Sequence, residues 1–256
     1  MSEILNTDSN SQGASSSANR RMRRGLEAII LAGGLGTRLR SVVADVPKCM
    51  APVNGVPFIA FIIEDLIKQG VERIIFSLGY KSESVIDFVK EKYKYLDKVY
   101  VIEEQPLGTG GAIKEACEAV HGENVIVVNG DTLFSVDLNE LADIHIKQHT
   151  ECTIALKPMT NFSRYGSVET NTNAMVTAFN EKQFCKEGLI NGGIYILQAK
   201  KFLEHSLPDV FSFEKEYLEK NVNTHKLYGI AFDDYFIDIG IPEDYERAQK
   251  ELGIRN

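Results

Sequence analysis

Apolar and polar positions in the first half of the chain switch between two periods. Four short runs rich in Ile, Val and Leu read as buried strands: Leu26 to Ala32, Glu72 to Leu78, Lys98 to Glu103 and Asn124 to Asn129. Between them the spacing becomes helical. In Pro57 to Gln69, residues Phe58, Phe61, Ile62, Asp65 and Leu66 recur three and four apart, and Gly70 supplies the stop. Ser82 or Ser84 is placed to cap a helix carrying Val85, Phe88 and Val89. Gly110 to Val120 puts Ile113, Ala116, Cys117 and Val120 on one face. Strands that alternate with helices need right-handed crossovers and therefore pair in parallel.

The second half is less regular. Asp137 to Gln148 reads as a helix, followed by strands at Cys152 to Leu156, Gly166 to Glu169, Met175 to Asn180, Leu189 to Leu197, Lys226 to Phe232 and Tyr235 to Ile239, then a helix at Asp244 to Leu252. The expected fold is α/β: a Rossmann-like, doubly wound, mixed and mostly parallel sheet with a strand-rich second half. Ligands of such sheets bind at the carboxyl ends of the strands, so the later strands are expected to form a lid or floor for a second substrate.

Composition removes several classes. The first 24 residues hold six serines, three asparagines and Arg20, Arg21, Arg23 and Arg24, and are expected to be a disordered tail. No apolar run is long enough for a membrane span, and the tail lacks the apolar region of a secretory signal. The tail's arginines outweigh Glu3 and Asp8 by two, so residues 25–256 carry −10 against the formal −8 of the chain. That charge disfavours nucleic acid as a partner, and anionic substrates would need local cations or a metal to offset it. Cys49, Cys117, Cys152 and Cys185 show no metal or disulfide spacing, which suits reduced thiols in a cytoplasmic protein. His145 and His149 stand four apart on a helix, but Ile146 occupies the place where a zinc-protease motif needs Glu.

The chemistry concentrates at strand ends. After the first strand comes Leu31-Ala32-Gly33-Gly34-Leu35-Gly36-Thr37-Arg38-Leu39, whose glycines let backbone amides approach a polyphosphate while Arg38 offers a bidentate fork. It lacks the Walker pattern, and Leu39 stands where a dinucleotide fingerprint has its third glycine. Lys48 sits between Pro47 and Pro52, suited to neutralising a phosphoryl group in transfer. Asp131 ends the fourth strand in Asn129-Gly130-Asp131, and Asp238 precedes Gly240; two such carboxylates suit Mg²⁺, which takes its remaining ligands from phosphate and water. Gln105 to Gly111, with Gly108, is a glycine-rich turn suited to packing on a base or ribose, or to serving only the helix start. Glu181 and Lys182 pair a carboxylate for sugar hydroxyls with an ammonium for phosphate, and Asn191-Gly192-Gly193 interrupts a strand where a ligand can approach the backbone.

In this order the segments resemble the sugar-1-phosphate nucleotidyltransferases over residues 26 to 252. The longer strings Met50-Ala51-Pro52-Val53, Pro106-Leu107-Gly108-Thr109-Gly110-Gly111-Ala112-Ile113 and Leu189-Ile190-Asn191-Gly192-Gly193-Ile194-Tyr195 are similar to the D-glycero-α-D-manno-heptose 1-phosphate guanylyltransferases, as is Phe232 to Gly240. The chain departs from the family at Cys49 and Gln183, where proline is usual, and at Gly192, where alanine is common. The resemblance implies GTP bound over Leu31, Gly33, Gly34, Gly36, Thr37 and Arg38 with Gln105, Gly108 and Asp131. It implies phosphate contacts from Arg38 and Lys48, Mg²⁺ on Asp131 and Asp238, and a sugar 1-phosphate at Glu181, Lys182, Asn191 and Gly192. Residues 25–256 are then one domain, with a nucleotide-binding half at 25–135 and a sugar-phosphate-binding half at 136–256. Three other readings are the same chemistry on another pair (mannose 1-phosphate with GTP, or a hexose 1-phosphate with UTP or dTTP), a catalytically silent nucleotide-sugar sensor, and a nicotinamide oxidoreductase. Arg38, Lys48, Asp131 and Asp238 are all retained, which counts against the sensor; the missing glycine counts against the oxidoreductase.

Overall fold

A computed structural model describes residues 25–34, 39, 43, 46–222, 224 and 226–254. The expected tail at 1–24 lies outside them. Strands β1 (Leu26–Ala32), β4 (Val71–Leu78), β5 (Asp97–Ile102) and β6 (Asn124–Asn129) form where the apolar runs predict. They pair in parallel in the order β5-β4-β1-β6. The helices between them are α1 (Phe58–Lys68), α2 (Ser82–Lys92) and α3 (Gly108–Cys117). Alternation along β1 divides the core: Ala28, Ile30 and Ala32 face α1 and α2, whereas Ile29 faces α3. Both sheet faces are therefore covered, as a buried parallel sheet requires.

Beyond β7 (Thr132–Phe134), the second half begins with α4 (Leu138–Gln148), capped by Asp137, whose side chain accepts the amides of Asn139 and Glu140. It continues through β8 (Cys152–Phe162), β9 (Ser167–Thr170), β10 (Val176–Phe179), β11 (Cys185–Gln198), α5 (Ala199–Glu204), a π-helical turn Phe213–Leu218, β12 (Leu227–Ala231), β13 (Phe236–Asp238) and α6 (Pro242–Glu251). β11 pairs antiparallel with β6, which extends the central sheet to nine strands. The later strands thus continue the same sheet, and β11 also contributes Asn191 and Gly192 to a cavity wall. β6 would otherwise present an open edge, and β11 closes it.

Two local expectations need correction. Neither Ser82 nor Ser84 caps α2: the helix starts after Lys81 at φ 52°, Ser82 is its first residue, and Ser84 Oγ donates to the Lys81 carbonyl at 2.9 Å. The helix expected at Gly110 to Val120 runs instead from Gly108 to Cys117, because its start is set by packing on residues 209–213. The hairpin β2 (Pro52–Val53) to β3 (Val56–Pro57), together with β7 and α5, is too short for periodicity to reveal. His145 is buried, with ring nitrogens 2.9 Å from Thr153 Oγ1 and 3.0 Å from Asn124 Oδ1, so it joins α4 to the sheet. Burial lowers its pKa to about 4.

Candidate active site

At the carboxyl ends of β1 and β6, where the strand order reverses, the sheet opens into a cavity of about 820 Å³. Leu31, Gly33 and Gly34 line it from β1, Asn129, Gly130 and Asp131 from β6, and Gln105, Gly108 and Thr109 from the start of α3. The Gly130 amide donates to the Leu31 carbonyl at 2.9 Å, which joins the first two walls. Gly36, Thr37 and Arg38 lie outside the described residues.

Lys48 enters from a single 3₁₀ turn, Lys48–Met50, that follows Pro47. Its Nζ donates to Asp131 Oδ2 at 2.5 Å and to Asp238 Oδ1 at 3.5 Å. Residues so distant in sequence meet because β13 pairs antiparallel with β7, setting Asp238 opposite Thr132, and because the Ile239 amide donates to the Asp131 carbonyl at 3.0 Å. The Gly240 amide donates to Asp238 Oδ1 at 2.7 Å and fixes that carboxylate. Cys49, at the departure from the family pattern, is buried; burial, reinforced by the negative charge of Asp131, pushes its thiol up to about 12. It serves as a small apolar filler rather than a nucleophile.

A second cavity of about 600 Å³ adjoins the first, with Asn129, Arg164 and Asp238 on the walls of both. Lys182, Asn191 and Gly192 line it, whereas Glu181 is exposed and off its wall. β11 bulges between Asn191 and Tyr195: Asn191 Oδ1 accepts the Gly193 amide at 3.0 Å, and its Nδ2 donates to Tyr195 Oη at 2.8 Å. Gly193 takes φ +74°, and a Cβ there would come within 2.6 Å of Asn129 Nδ2, so glycine alone fits. The glycines of the α3 turn have a different cause. Gly108 takes φ +72°, its Cβ position lies 2.5 Å from the Phe211 carbonyl, and the Gly110 amide donates to that same carbonyl at 2.9 Å. They let residues 209–213 dock on the helix.

Glu103, Arg164 and Tyr165 also belong to these walls, and no motif points to them. Glu103, at the end of β5, lines the first cavity; its Oε2 accepts the Leu107 amide at 3.0 Å. Its Oε1 lies 2.5 Å from where a Gly33 Cβ would stand, and burial raises its pKa. Arg164 pairs with Asp244 and places a guanidinium nitrogen 3.9 Å from Asp238 Oδ2. Tyr165 Oη donates to the same oxygen at 3.3 Å, and burial with the adjacent Asp238 charge raises its pKa, so the hydroxyl keeps its proton. No spacing marks these residues; only the Gly-rich turn beyond Glu103 and the glycine after Tyr165 hint at a close backbone approach.

The two cavities thus meet at Asp238, one of the two carboxylates that the Lys48 ammonium bridges. The nucleotidyl transferase family profile matches residues 27–253. A D-glycero-alpha-D-manno-heptose 1-phosphate guanylyltransferase of Aneurinibacillus thermoaerophilus is 51% identical over 227 residues, covering 89% of this chain and 98% of the relative. One of Campylobacter jejuni subsp. jejuni is 47% identical over 220 residues, covering 86% and 97%. The crystal structure of HddC from Yersinia pseudotuberculosis complexed with GMP-PN superposes with a TM-score of 0.80 at 39% identity, covering 89% of this chain and 99% of that one. Among the described residues no helix is long and apolar enough to cross a membrane. With its doubly wound sheet and its charged groups gathered at the strand-order reversal, the chain belongs to the nucleotidyl transferase family of enzymes.

Proposed function

We propose that the protein transfers GMP from GTP to D-glycero-α-D-manno-heptose 1-phosphate, releasing pyrophosphate. The carrying observation is that a nucleotide-sized cavity holds the Lys48, Asp131 and Asp238 cluster and that Asp238, with Asn129 and Arg164, also lines the adjoining second cavity. In the reaction a sugar-phosphate oxygen attacks the α-phosphorus of GTP, one P–O bond forms, and the bond to pyrophosphate breaks. No protein nucleophile is required, so positioning and charge neutralisation carry the rate.

Leu31, Gly33, Gly34, Gln105 and Gly108 cradle the nucleoside, with Gly36, Thr37 and Arg38 assigned by sequence to the phosphates. Lys48 leaves its carboxylates to contact the phosphoryl group. Asp131 and Asp238 fit Mg²⁺: they are two hard oxygen donors converging on one cation, and Mg²⁺ commonly uses one or two carboxylates beside phosphate oxygens. When bound, the metal would neutralise charge on the phosphates. Lys182, Asn191 and Gly192 face the sugar phosphate, with Glu181 at the rim.

Glu103 supports the choice of base. Guanine presents an N–H and an amine side by side, which a carboxylate accepts together; adenine sets a ring acceptor there, and uracil flanks its N–H with carbonyls, so each leaves a polar group unpaired. Similarity to the two relatives named heptose 1-phosphate guanylyltransferases supports both substrates. The test is a pyrophosphate-release assay crossing four nucleoside triphosphates with a panel of sugar 1-phosphates. GTP with the heptose phosphate is expected to give the highest kcat/KM, with mannose 1-phosphate weaker. Preference for UTP or dTTP, or for a hexose phosphate, would overturn the substrate assignment.

A further inference from the structure

The second cavity carries an acid that no motif brings forward. Glu214 lies on its wall, in the π-helical turn Phe213–Leu218. Such turns are rare and frequently found at functional sites. Its Oε2 accepts Thr109 Oγ1 at 2.7 Å and Ser212 Oγ at 2.9 Å, and the Phe213 amide in turn donates to Thr109 Oγ1 at 2.9 Å. Among the described residues Oε1 has no hydrogen-bond partner and no cation pairs with the carboxylate.

The other polar groups of this cavity are differently engaged. Asp238 is held by Lys48, Tyr165 and the Gly240 amide, and Asn191 spends one bond from each end of its amide on the β11 bulge. Arg164 and Lys182 are cations suited to a phosphate. A carboxylate repels a phosphate but accepts strongly from hydroxyls, and one held fixed by two donors is already oriented before any ligand arrives.

We propose that Glu214 is a specificity-determining residue, whose Oε1 accepts a hydroxyl of the sugar, while Thr109 ties its orientation to the wall of the nucleotide cavity. This rests on the reading of the second cavity as the sugar-phosphate site. The test measures kcat/KM with GTP for mannose 1-phosphate and its single deoxy analogues, in the wild type and in Glu214→Gln. The amide oxygen of Gln can keep the Thr109 and Ser212 bonds while turning a donor toward the cavity. At one hydroxyl position, deletion is expected to cost the wild type tenfold or more and the variant less than twofold, with KM for GTP moving less than twofold. Equal penalties in both enzymes at every position would overturn the assignment. If Glu214→Gln does not fold, Glu214→Asp, which keeps the charge and withdraws it by one methylene, is held to the same criterion. A wild type that turns over no sugar 1-phosphate with any nucleotide overturns the parent reading, a result distinct from equal penalties.

Discussion

Two ionic clusters sit at opposite ends of the parallel part of the sheet. At the amino ends of β1 and β4, Glu27 and Arg73 are register partners and form a buried ion pair. Glu27 Oε2 also accepts the amides of His121 at 2.9 Å and Gly122 at 2.6 Å, while Arg73 donates to the Ala119 carbonyl at 2.8 Å. Side-chain exposure is 5% for Glu27 and 11% for Arg73. At the carboxyl ends, Lys48 bridges Asp131 and Asp238, the Asp131 side chain is 37% exposed, and all three face the cavities. The first cluster is closed, each charge satisfied by protein, and it ties the α3–β6 connection to the sheet. The second has charges whose remaining bonding capacity points at open space. Charge alone therefore does not mark a site; unfilled coordination at the carboxyl end of the sheet does.

The largest effect expected from breaking this contrast is on stability. Arg73→Met leaves Glu27 buried without its cation and should cost about 3–5 kcal/mol, read in urea melts, with kcat of the remaining folded enzyme unchanged. Asp131→Asn or Asp238→Asn should do the opposite. Circular dichroism and melting should stay near wild type while turnover falls by two to three orders of magnitude, roughly 3–4 kcal/mol in the barrier. Near-normal turnover in both variants at low Mg²⁺ would remove them from the mechanism.

His145 provides an intermediate case, a closed polar contact that titrates. Its folded pKa of about 4 lies below its ordinary 6.5, so the unfolded chain binds the proton more readily. Its contribution is fully present above about pH 6.5 and is lost as pH falls toward 4, on the order of 3 kcal/mol in all. His145→Gln should flatten the stability profile in that window, and an unaltered slope would count against the assignment.

Lys48→Met should lower kcat by about a hundredfold, with less effect on nucleotide affinity, because the proposed contact would strengthen as charge develops on the phosphoryl group. A raised KM for GTP alone would make it a ground-state contact. The smallest expected effect is at Glu103. Glu103→Gln should reduce the preference for GTP over ATP by about tenfold, close to the 1–3 kcal/mol attached to one buried unpaired polar group. An unchanged ratio would shift base reading to backbone groups.

Much of this was legible because local chemistry and tertiary placement coincide. β6 begins and ends where its apolar run predicts, and Asp131 follows it at the carboxyl end. Lys48, Asn191 and Gly192 stood out by residue type and neighbours. Glu103, Arg164, Tyr165 and Glu214 did not, since an acid after a strand or an arginine before a tyrosine has no periodic signature. The α3 turn adds a structural reason that the sequence does not show: Gly108 lines the first cavity, but its Cβ position and that of Gly110 are also closed off by Phe211.

The sequence by itself determined the parallel first half, its helices and the chemical character of the site. Hydrophobic period and glycine placement act over a few residues and can be read from them. Only the tertiary structure decided that β11 closes the edge of β6, that β7 and β13 set Asp238 beside Asp131, and that Glu214 reaches the second cavity from a turn clamped by Thr109. Those pairings join segments tens of residues or more apart, through backbone bonds and packing that no local pattern encodes.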